Sequence, residues 1–106
     1  MLSIEISGRN MMLEGHPTVW EPTAFATFFG QILDDYIKPG MKVLEVGLGS
    51  GVLAIFAGFK GADVTGVDIN SEAISISYKN WERNGLDMAR CDFRHSDLFS
   101  DLTLQD

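Results

Sequence analysis

Three alternating glycines, Gly47, Gly49 and Gly51, lie between two short apolar segments. A loop of this kind between a strand and a helix lies at the carboxyl end of a parallel sheet, where ligands bind in open α/β folds. Glycine has no Cβ, so the backbone can approach a ligand closely, and the first N–H groups of the following helix can donate hydrogen bonds. A tight turn without a ligand is the competing explanation, but turning alone does not require three glycines. We therefore predict a ligand site at this loop.

The residues around the glycines argue against a phosphate ligand. The dinucleotide pattern G-x-G-x-x-G would need glycine where Val52 stands, and the phosphate loop would need Lys and Ser or Thr after Gly51. Glu45, two residues before the first glycine, would repel a pyrophosphate and attract an ammonium group. An NAD-linked dehydrogenase is therefore disfavoured, and the loop favours a ligand with an amine.

Two further carboxylates follow predicted strands. Asp68 comes 21 residues after Gly47, which is the spacing of an acidic residue that accepts hydrogen bonds from ribose hydroxyls. The alternative is that Asp68 only caps the next helix. Asp97 follows the third predicted strand, where a carboxylate can accept a hydrogen bond from an adenine amino group. A turn residue is an equally good interpretation of Asp97, because Asp favours turns.

Apolar patterning predicts an N-terminal hairpin and an amphipathic helix ahead of the glycine loop. "LSIEIS" alternates apolar and polar residues, Gly8–Asn10 is a turn signal, and "MMLEG" resumes the apolar pattern. "HPTVWEP" reads as an extended connector, since each proline disfavours helix at the residue before it. Apolar residues at helical spacing from Phe25 to Ile37 predict a helix with its apolar face toward the core, ended by Pro39–Gly40.

The remainder alternates strands and helices. "KVLEV" and "ADVTGVDI" predict two strands, separated by a buried helix, "GVLAIFAGF", that Gly61 closes. "NSEAISISYKNWERNG" predicts a helix with Asn70 or Ser71 at its start and Gly85 at its end. "ARCDFRHSD" predicts a third strand. This order is typical of a parallel sheet with right-handed crossovers, so the chain is of the α/β class.

Composition excludes several classes of protein. The 106 residues carry a formal net charge of −7, which gives no clear nucleic-acid surface, and no apolar run is long enough for a membrane. A single cysteine, Cys91, makes a cytoplasmic protein the simple interpretation, and we expect its thiol in the core. We also expect Trp20 and Trp81 in the core. His16 and His95 lack the spacing of a metal pair, so no metal site is predicted.

The motifs together resemble a known family. "VLEVGLGSG", "VTGVDIN" and "HSDLF" resemble the first three motifs of class I S-adenosylmethionine-dependent methyltransferases. "TVWEPTAFATFFGQIL" is similar to the segment before the domain in the group that includes protein N5-glutamine methyltransferases and some RNA guanine methyltransferases. The resemblance runs from Val19 to Phe99. It implies a truncated Rossmann-like fold of about three parallel strands with flanking helices and an N-terminal β-hairpin.

The resemblance also implies which residues bind S-adenosylmethionine or its product S-adenosylhomocysteine. A carboxylate lies near the methionine amine, the glycine loop lies along the methionine part, a second carboxylate holds the ribose hydroxyls, and the remaining residues meet the adenine. In this order the implied residues are Glu45; Gly47, Gly49 and Gly51; Asp68; and Ile69, Asp97 and Leu98.

The substrate half of the family is not recognised in this sequence. In the glutamine-methylating branch the catalytic segment is Asn-Pro-Pro-Tyr after a fourth strand, and no such segment occurs up to Asp106. We therefore expect one incomplete domain over residues 1–106, with hairpin and connector at 1–21 and the helix and cofactor-binding half at 22–106. We identify no catalytic residue and expect no activity from this chain alone. The alternative is a non-enzymatic binding or oligomerisation module.

A last expectation concerns assembly. In the complete family fold the strand order is 3-2-1-4-5-7-6, which would leave "KVLEV" at an open edge when the fourth strand is missing. The helices at 25–37 and 52–59 would then lose their cover. Exposed strand edges and apolar patches favour association, so we expect a homodimer through this edge. The competing expectation is that the tail "LTLQD" fills the gap.

Overall fold

An antiparallel hairpin begins the chain. The computed structural model of the protein describes residues 1–22 and 24–96. β1 (Leu2–Ile6) pairs with β2 (Arg9–Leu13) through a turn at Ser7 and Gly8, whose φ angles are 50° and 81°. A two-residue hairpin turn of this type needs positive φ at both central residues. The predicted hairpin is confirmed, but its turn precedes the predicted Gly8–Asn10.

Three parallel strands and three helices follow the hairpin. The sheet has the order β3-β4-β5, with Val43 opposite Val64 and Val64 opposite Cys91. This confirms the predicted α/β class with three parallel strands. A short 3-10 helix, Met88–Arg90, replaces the predicted start of the third strand. The elements are α1 (Ala24–Leu33), β3 (Lys42–Val46), α2 (Val52–Phe59), β4 (Asp63–Asp68), α3 (Ser71–Arg83) and β5 (Cys91–His95).

The predicted ends of α2 and α3 are confirmed. Asn70 caps α3, and its side-chain oxygen accepts a hydrogen bond from the backbone N–H of Glu72 at 3.0 Å. Gly61 and Gly85 follow the two helices with φ of 91° and 77°, the left-handed conformation that ends helices at low cost for glycine.

The core lies between the sheet, α2, α3 and the hairpin. Trp81 of α3 is fully buried, as predicted, and its indole N–H donates to the carbonyl of Asp87 at 2.9 Å. The ring packs on Gly58, where an added Cβ would come within 2.6 Å of it. Cys91 packs against this core and is half-buried. Burial, together with the charges of Asp92 and Asp87, raises the pKa of its thiol to about 11.

One prediction about aromatic residues is wrong, and another is confirmed only in part. Trp20, expected in the core, lies in the connector and is 87% exposed. α1 ends at Leu33, which packs against the core, as predicted, but Phe25 and Phe28 at the start of the same apolar stripe are 69% and 60% exposed. The buried position of α1 is Gly30, where an added Cβ would lie 2.9 Å from the Ile6 side chain. The hairpin therefore packs on the small-residue face of α1 and leaves the phenylalanines outside.

β3 forms one edge of the sheet. Within residues 1–22 and 24–96 it pairs with β4 alone, as predicted from the strand order. An apolar groove of about 600 Å³ lies between this edge and the exposed face of α1. α2 does not share the exposure predicted for it. It is covered by β2, β4 and α3, and six of its residues, including Ile55 and Phe56, are buried.

Candidate functional site

The glycine loop between β3 and α2 contains two kinds of glycine. Gly47 has φ of 84°, and an added Cβ would meet nothing within 4 Å, so the backbone faces open space. Gly49 also has positive φ, 57°, and lies near the backbone of Trp20. Gly51, with φ of 89°, packs on α3, and its Cβ would come within 3.0 Å of the Ser77 hydroxyl. Packing thus accounts for Gly51, whereas Gly47 faces a space that a ligand can enter.

Asp68 links the end of β4 to this loop. Its Oδ2 accepts a hydrogen bond from the N–H of Gly49 at 3.1 Å, and its Oδ1 accepts one from the N–H of Asn70 at 2.8 Å. The capping alternative for Asp68 is wrong, because the side chain of Asn70 caps α3. A carboxylate has about four acceptor positions, so two stay available for a ligand. The two backbone contacts therefore fix the orientation of the carboxylate.

A cleft of about 310 Å³ opens beside Asp68. Gly47, Gly49 and Ile69 line it, and Ile69 is 71% exposed. The opposite wall is the connector at 18–20, which the side chain of Asn70 holds by donating to the carbonyl of Thr18 at 2.9 Å. The prolines of the connector predicted an extended path, but no sequence pattern indicated that the connector would form a wall of this cleft.

Glu45 lies at the far side of the loop, on β3. It lines a smaller cleft of about 240 Å³ together with Gly47, Gly49 and Trp20. The side chain is half-buried, and its Oε1 is buried without a hydrogen-bond partner among the described residues. Burial raises the pKa of Glu45 to about 8, the charge of Asp68 acts in the same direction, and a backbone hydrogen bond from Ala54 opposes them. A ligand ammonium at this position would supply the missing donor and favour the ionised carboxylate.

The middle and the C-terminal half of α3 hold the loop from behind. The Ser77 hydroxyl donates to the carbonyl of Gly49 at 3.2 Å, and the Asn80 amide donates to the carbonyl of Ser50 at 2.9 Å. These contacts turn both carbonyls toward α3, away from the cleft. Neither Ser77 nor Asn80 was predicted as a site residue, and no local pattern marks them, because their partners lie about 30 residues away in the chain.

The predicted site residues therefore fall into three groups. Gly47, Gly49, Asp68 and Ile69 come together around one cleft, and Glu45 lies in the adjoining one. Gly51 packs behind the loop. The two adenine-edge residues predicted from the resemblance, Asp97 and Leu98, lie outside the described residues, as does the tail "LTLQD".

Neither histidine takes part in a cluster of metal ligands. Within residues 1–22 and 24–96 no group of three or more His, Cys, Asp or Glu side chains is placed to hold a metal ion. His16 contacts Glu72 at 3.5 Å, and His95 contacts the carbonyl of Ile69 at 2.8 Å. None of the helices in these ranges has the length and apolar character needed to cross a bilayer.

Comparison with known proteins gives the geometry a family context. The family model described as ribosomal protein L11 methyltransferase (PrmA) matches residues 25–103. The ribosomal protein L11 methyltransferase of Thermosipho africanus is 44% identical over 73 residues, which are 68% of this chain and 27% of that protein. A Methanocaldococcus jannaschii protein that carries the name of a protein N5-glutamine methyltransferase is 37% identical over 101 residues, 94% of this chain and 48% of its own length.

Solved structures agree with these relatives. The 16S rRNA N2 G1207 methyltransferase of T. thermophilus, in complex with S-adenosylmethionine and guanosine, superposes with a TM-score of 0.86 at 25% identity. The match covers 96% of this chain and 29% of that one. The chain thus spans between about a quarter and a half of the length of the proteins it matches. The glycine loop, the fold and these similarities together show that the chain belongs to the ribosomal protein L11 methyltransferase (PrmA) family, with the fold of class I S-adenosylmethionine-dependent methyltransferases.

Proposed function

We propose that the two adjoining clefts bind S-adenosylmethionine and S-adenosylhomocysteine, as the cofactor-binding part of a methyltransferase. The observation that carries this proposal is the Asp68 carboxylate, which is held by the N–H of Gly49 and the N–H of Asn70 and keeps acceptor positions for a ligand. A carboxylate fixed in this way can receive two neighbouring ribose hydroxyls without reorganisation. Solved relatives that contain this cofactor support the same assignment.

The other contacts follow from the position of the ribose. In this proposal the exposed Ile69 side chain covers one adenine face, and the open backbone at Gly47 receives the methionine part. The ammonium of the methionine donates to Oε1 of Glu45, which is buried and has no partner in the described part of the chain. Asp97 and Leu98 take the adenine edge, as the family resemblance implies.

Asp68 can be tested against a matched carboxylate on the same strand. Asp63 lies at the amino end of β4, where it is exposed and 3.5 Å from Arg90. Loss of charge-assisted hydrogen bonds to the ribose should weaken S-adenosylhomocysteine binding to Asp68→Asn about tenfold or more in calorimetry. Asp63→Asn should bind as the unchanged protein does. Equal affinities for all three proteins would overturn the assignment of Asp68.

We further propose that these 106 residues bind the cofactor without transferring its methyl group. In-line transfer from the sulfonium depends on holding the acceptor in position, and the sequence has no segment of the Asn-Pro-Pro-Tyr type. Labelled S-adenosylmethionine, ribosomal protein L11 and a cell extract give the test. We expect no methyl incorporation above that of the same mixture without the chain, and robust incorporation above that level would contradict this proposal. Absence of cofactor binding as well would favour a non-enzymatic module.

We propose that a second copy of the chain covers the open edge of β3 in the cytoplasm. Among the described residues this edge has no strand partner and lies beside the apolar groove, and a two-fold axis allows the two β3 strands to pair antiparallel. Light scattering should give a dimer mass that Leu44→Lys, on this strand, reduces to the monomer mass. A monomer at high micromolar concentration for the unchanged chain would exclude the dimer and favour cover by another segment.

A further inference from the structure

Two asparagines of α3 bind the backbone of the hairpin in the same way. The Asn84 side chain accepts from the N–H of Met12 at 3.0 Å and donates to its carbonyl at 2.9 Å. One helical turn earlier, the Asn80 side chain accepts from the N–H of Glu14 at 2.6 Å and donates to its carbonyl at 3.0 Å. Residues 12 and 14 are two apart along the extended chain, so both face the same edge. Each asparagine thus takes the place of a strand partner for one hairpin residue.

The second amide hydrogen distinguishes these two asparagines. In Asn84 the amide also donates to the carbonyl of Asn80 in its own helix, at 2.7 Å. In Asn80 the amide also donates to the carbonyl of Ser50, in the middle of the glycine loop, at 2.9 Å. Asn80 is fully buried, and its side-chain oxygen and both of its amide hydrogens have hydrogen-bond partners. It therefore joins the segment after β2 to the glycine loop.

Both ends of this link lead to the cleft. Glu14 precedes the connector whose residues 18–20 form one wall, and Ser50 lies between Gly49 and Gly51. Without its donor, the buried Ser50 carbonyl would lose its partner and could turn toward the cleft, since both neighbouring glycines tolerate many backbone conformations. Such a turn would replace an open backbone surface with a carbonyl dipole and would move the contact between Gly49 and Asp68.

We propose that Asn80 is a positioning residue of the cofactor site, which couples the docked hairpin to the conformation of the glycine loop. This inference rests on the proposed cofactor binding for its functional consequence, but the hydrogen bonds that would carry the coupling join residues of this chain alone. Asn84 is the matched control, because it holds the same hairpin without reaching the loop.

Amide hydrogen exchange in the ligand-free chain gives the first test. In Asn80→Ala we expect exchange at Gly49 and Gly51 to accelerate at least tenfold, since their N–H groups donate within and beside the loop. In Asn84→Ala we expect acceleration at Met12 and no change at the two glycines. The same acceleration at Gly49 and Gly51 in both variants, or in neither, would overturn the proposal. If Asn80→Ala does not fold, Asn80→Asp keeps the side-chain volume and is expected to show the same pattern.

Affinity for S-adenosylhomocysteine gives the second test. We expect Asn80→Ala to bind at least tenfold more weakly and Asn84→Ala to bind within twofold of the unchanged chain. If the unchanged chain does not bind the ligand, the proposed function fails, and the exchange data alone decide whether Asn80 positions the loop. If the chain binds and both variants lose affinity equally, Asn80 acts only by holding the hairpin, which contradicts the proposal.

Discussion

The two edges of the parallel sheet differ in how completely the chain covers them. At the β5 edge α3 supplies cover and partners: the Tyr78 hydroxyl donates to the carbonyl of Phe93 at 3.0 Å and accepts from its N–H at 2.9 Å. At the β3 edge Leu44, Val46 and the aromatic face of α1 are exposed. At Phe93 the edge of β5 thus has a side-chain partner from α3, whereas the edge of β3 presents an apolar surface; we call these the α3 side and the open side. The clefts lie between them, with Asp68 at the end of the middle strand, β4, and Glu45 on β3.

The largest effect on the free energy of unfolding should come from removing a core side chain of α3. Trp81→Ala removes the fully buried indole from its contacts with Gly58 and with Phe93, whose ring lies 5.8 Å away edge-on. Truncation of a buried aromatic costs about 3–5 kcal/mol. The matched control is Trp20→Ala, which removes an exposed tryptophan and should change the free energy of unfolding by less than about 0.5 kcal/mol. Urea unfolding of both variants measures these free energies. Similar losses for Trp81→Ala and Trp20→Ala would contradict the assignment of one tryptophan to the core and the other to the surface.

A pH-dependent effect is expected from Glu45. The unfolded carboxyl loses its proton near 4.5, whereas the buried one keeps it until about pH 8. Between these values the folded chain binds more protons, so its stability falls as pH rises through this window, at up to about 1.4 kcal/mol per pH unit. Glu45→Gln removes this slope. The difference in unfolding free energy between Glu45→Gln and the unchanged chain should therefore shift in favour of the variant when the pH is raised from 4 to 9.

The same substitution should weaken cofactor binding, because glutamine offers no charge to the ammonium. Glu5→Gln on the exposed face of β1 controls for the change in net charge. Urea unfolding at the two pH values gives the stabilities. Parallel pH profiles for the unchanged chain and Glu45→Gln would show that the carboxyl does not titrate as its burial requires.

A smaller effect should separate the two kinds of glycine. Alanine at Gly47 or Gly51 adopts a left-handed conformation at a cost of about 1–2 kcal/mol. Gly51→Ala also meets the Ser77 side chain and should lose more stability than Gly47→Ala. Gly47→Ala places its methyl group in the cleft and should lose more affinity for S-adenosylhomocysteine. Unfolding and calorimetry measure the two losses, and the reverse order in both would contradict the assignment.

The smallest effect on stability is expected at the open side. Tyr36 lines the apolar groove and is exposed, so Tyr36→Ser should change the unfolding free energy of the monomer by less than about 0.5 kcal/mol. Removal of apolar area from the proposed interface should weaken self-association in light scattering. An unfolding loss as large as that of Trp81→Ala at sub-micromolar protein would mean that the groove is closed in the monomer.

Local signals account for what the sequence predicted correctly. Strand and helix periodicity, the cap at Asn70 and the terminating Gly85 each depend on residues that are near one another in the chain. The spacing from Gly47 to Asp68 is that of one strand–helix–strand unit, which brings both residues to the carboxyl end of the parallel sheet. The contact between Asp68 and Gly49 lies at this end of the sheet.

Long-range packing accounts for what the sequence did not predict. Asn80 contacts Glu14 across 66 residues, and no periodic pattern records such a pair. Periodicity identified an apolar face on α1 but not which element covers it. The hairpin instead packed at Gly30, so the aromatic side chains remained outside.

The cofactor assignment is tested most directly by titrating the isotope-labelled chain with S-adenosylhomocysteine and following the backbone amide signals. We expect saturable shifts at Gly47, Gly49 and Ile69, which surround the clefts, and none at Ser3 or Asn10 of the hairpin. Asp68→Asn should abolish saturation over the same millimolar range. Absence of shifts at millimolar ligand, or shifts confined to the groove between α1 and β3, would contradict the proposal that the glycine loop and Asp68 form a cofactor site.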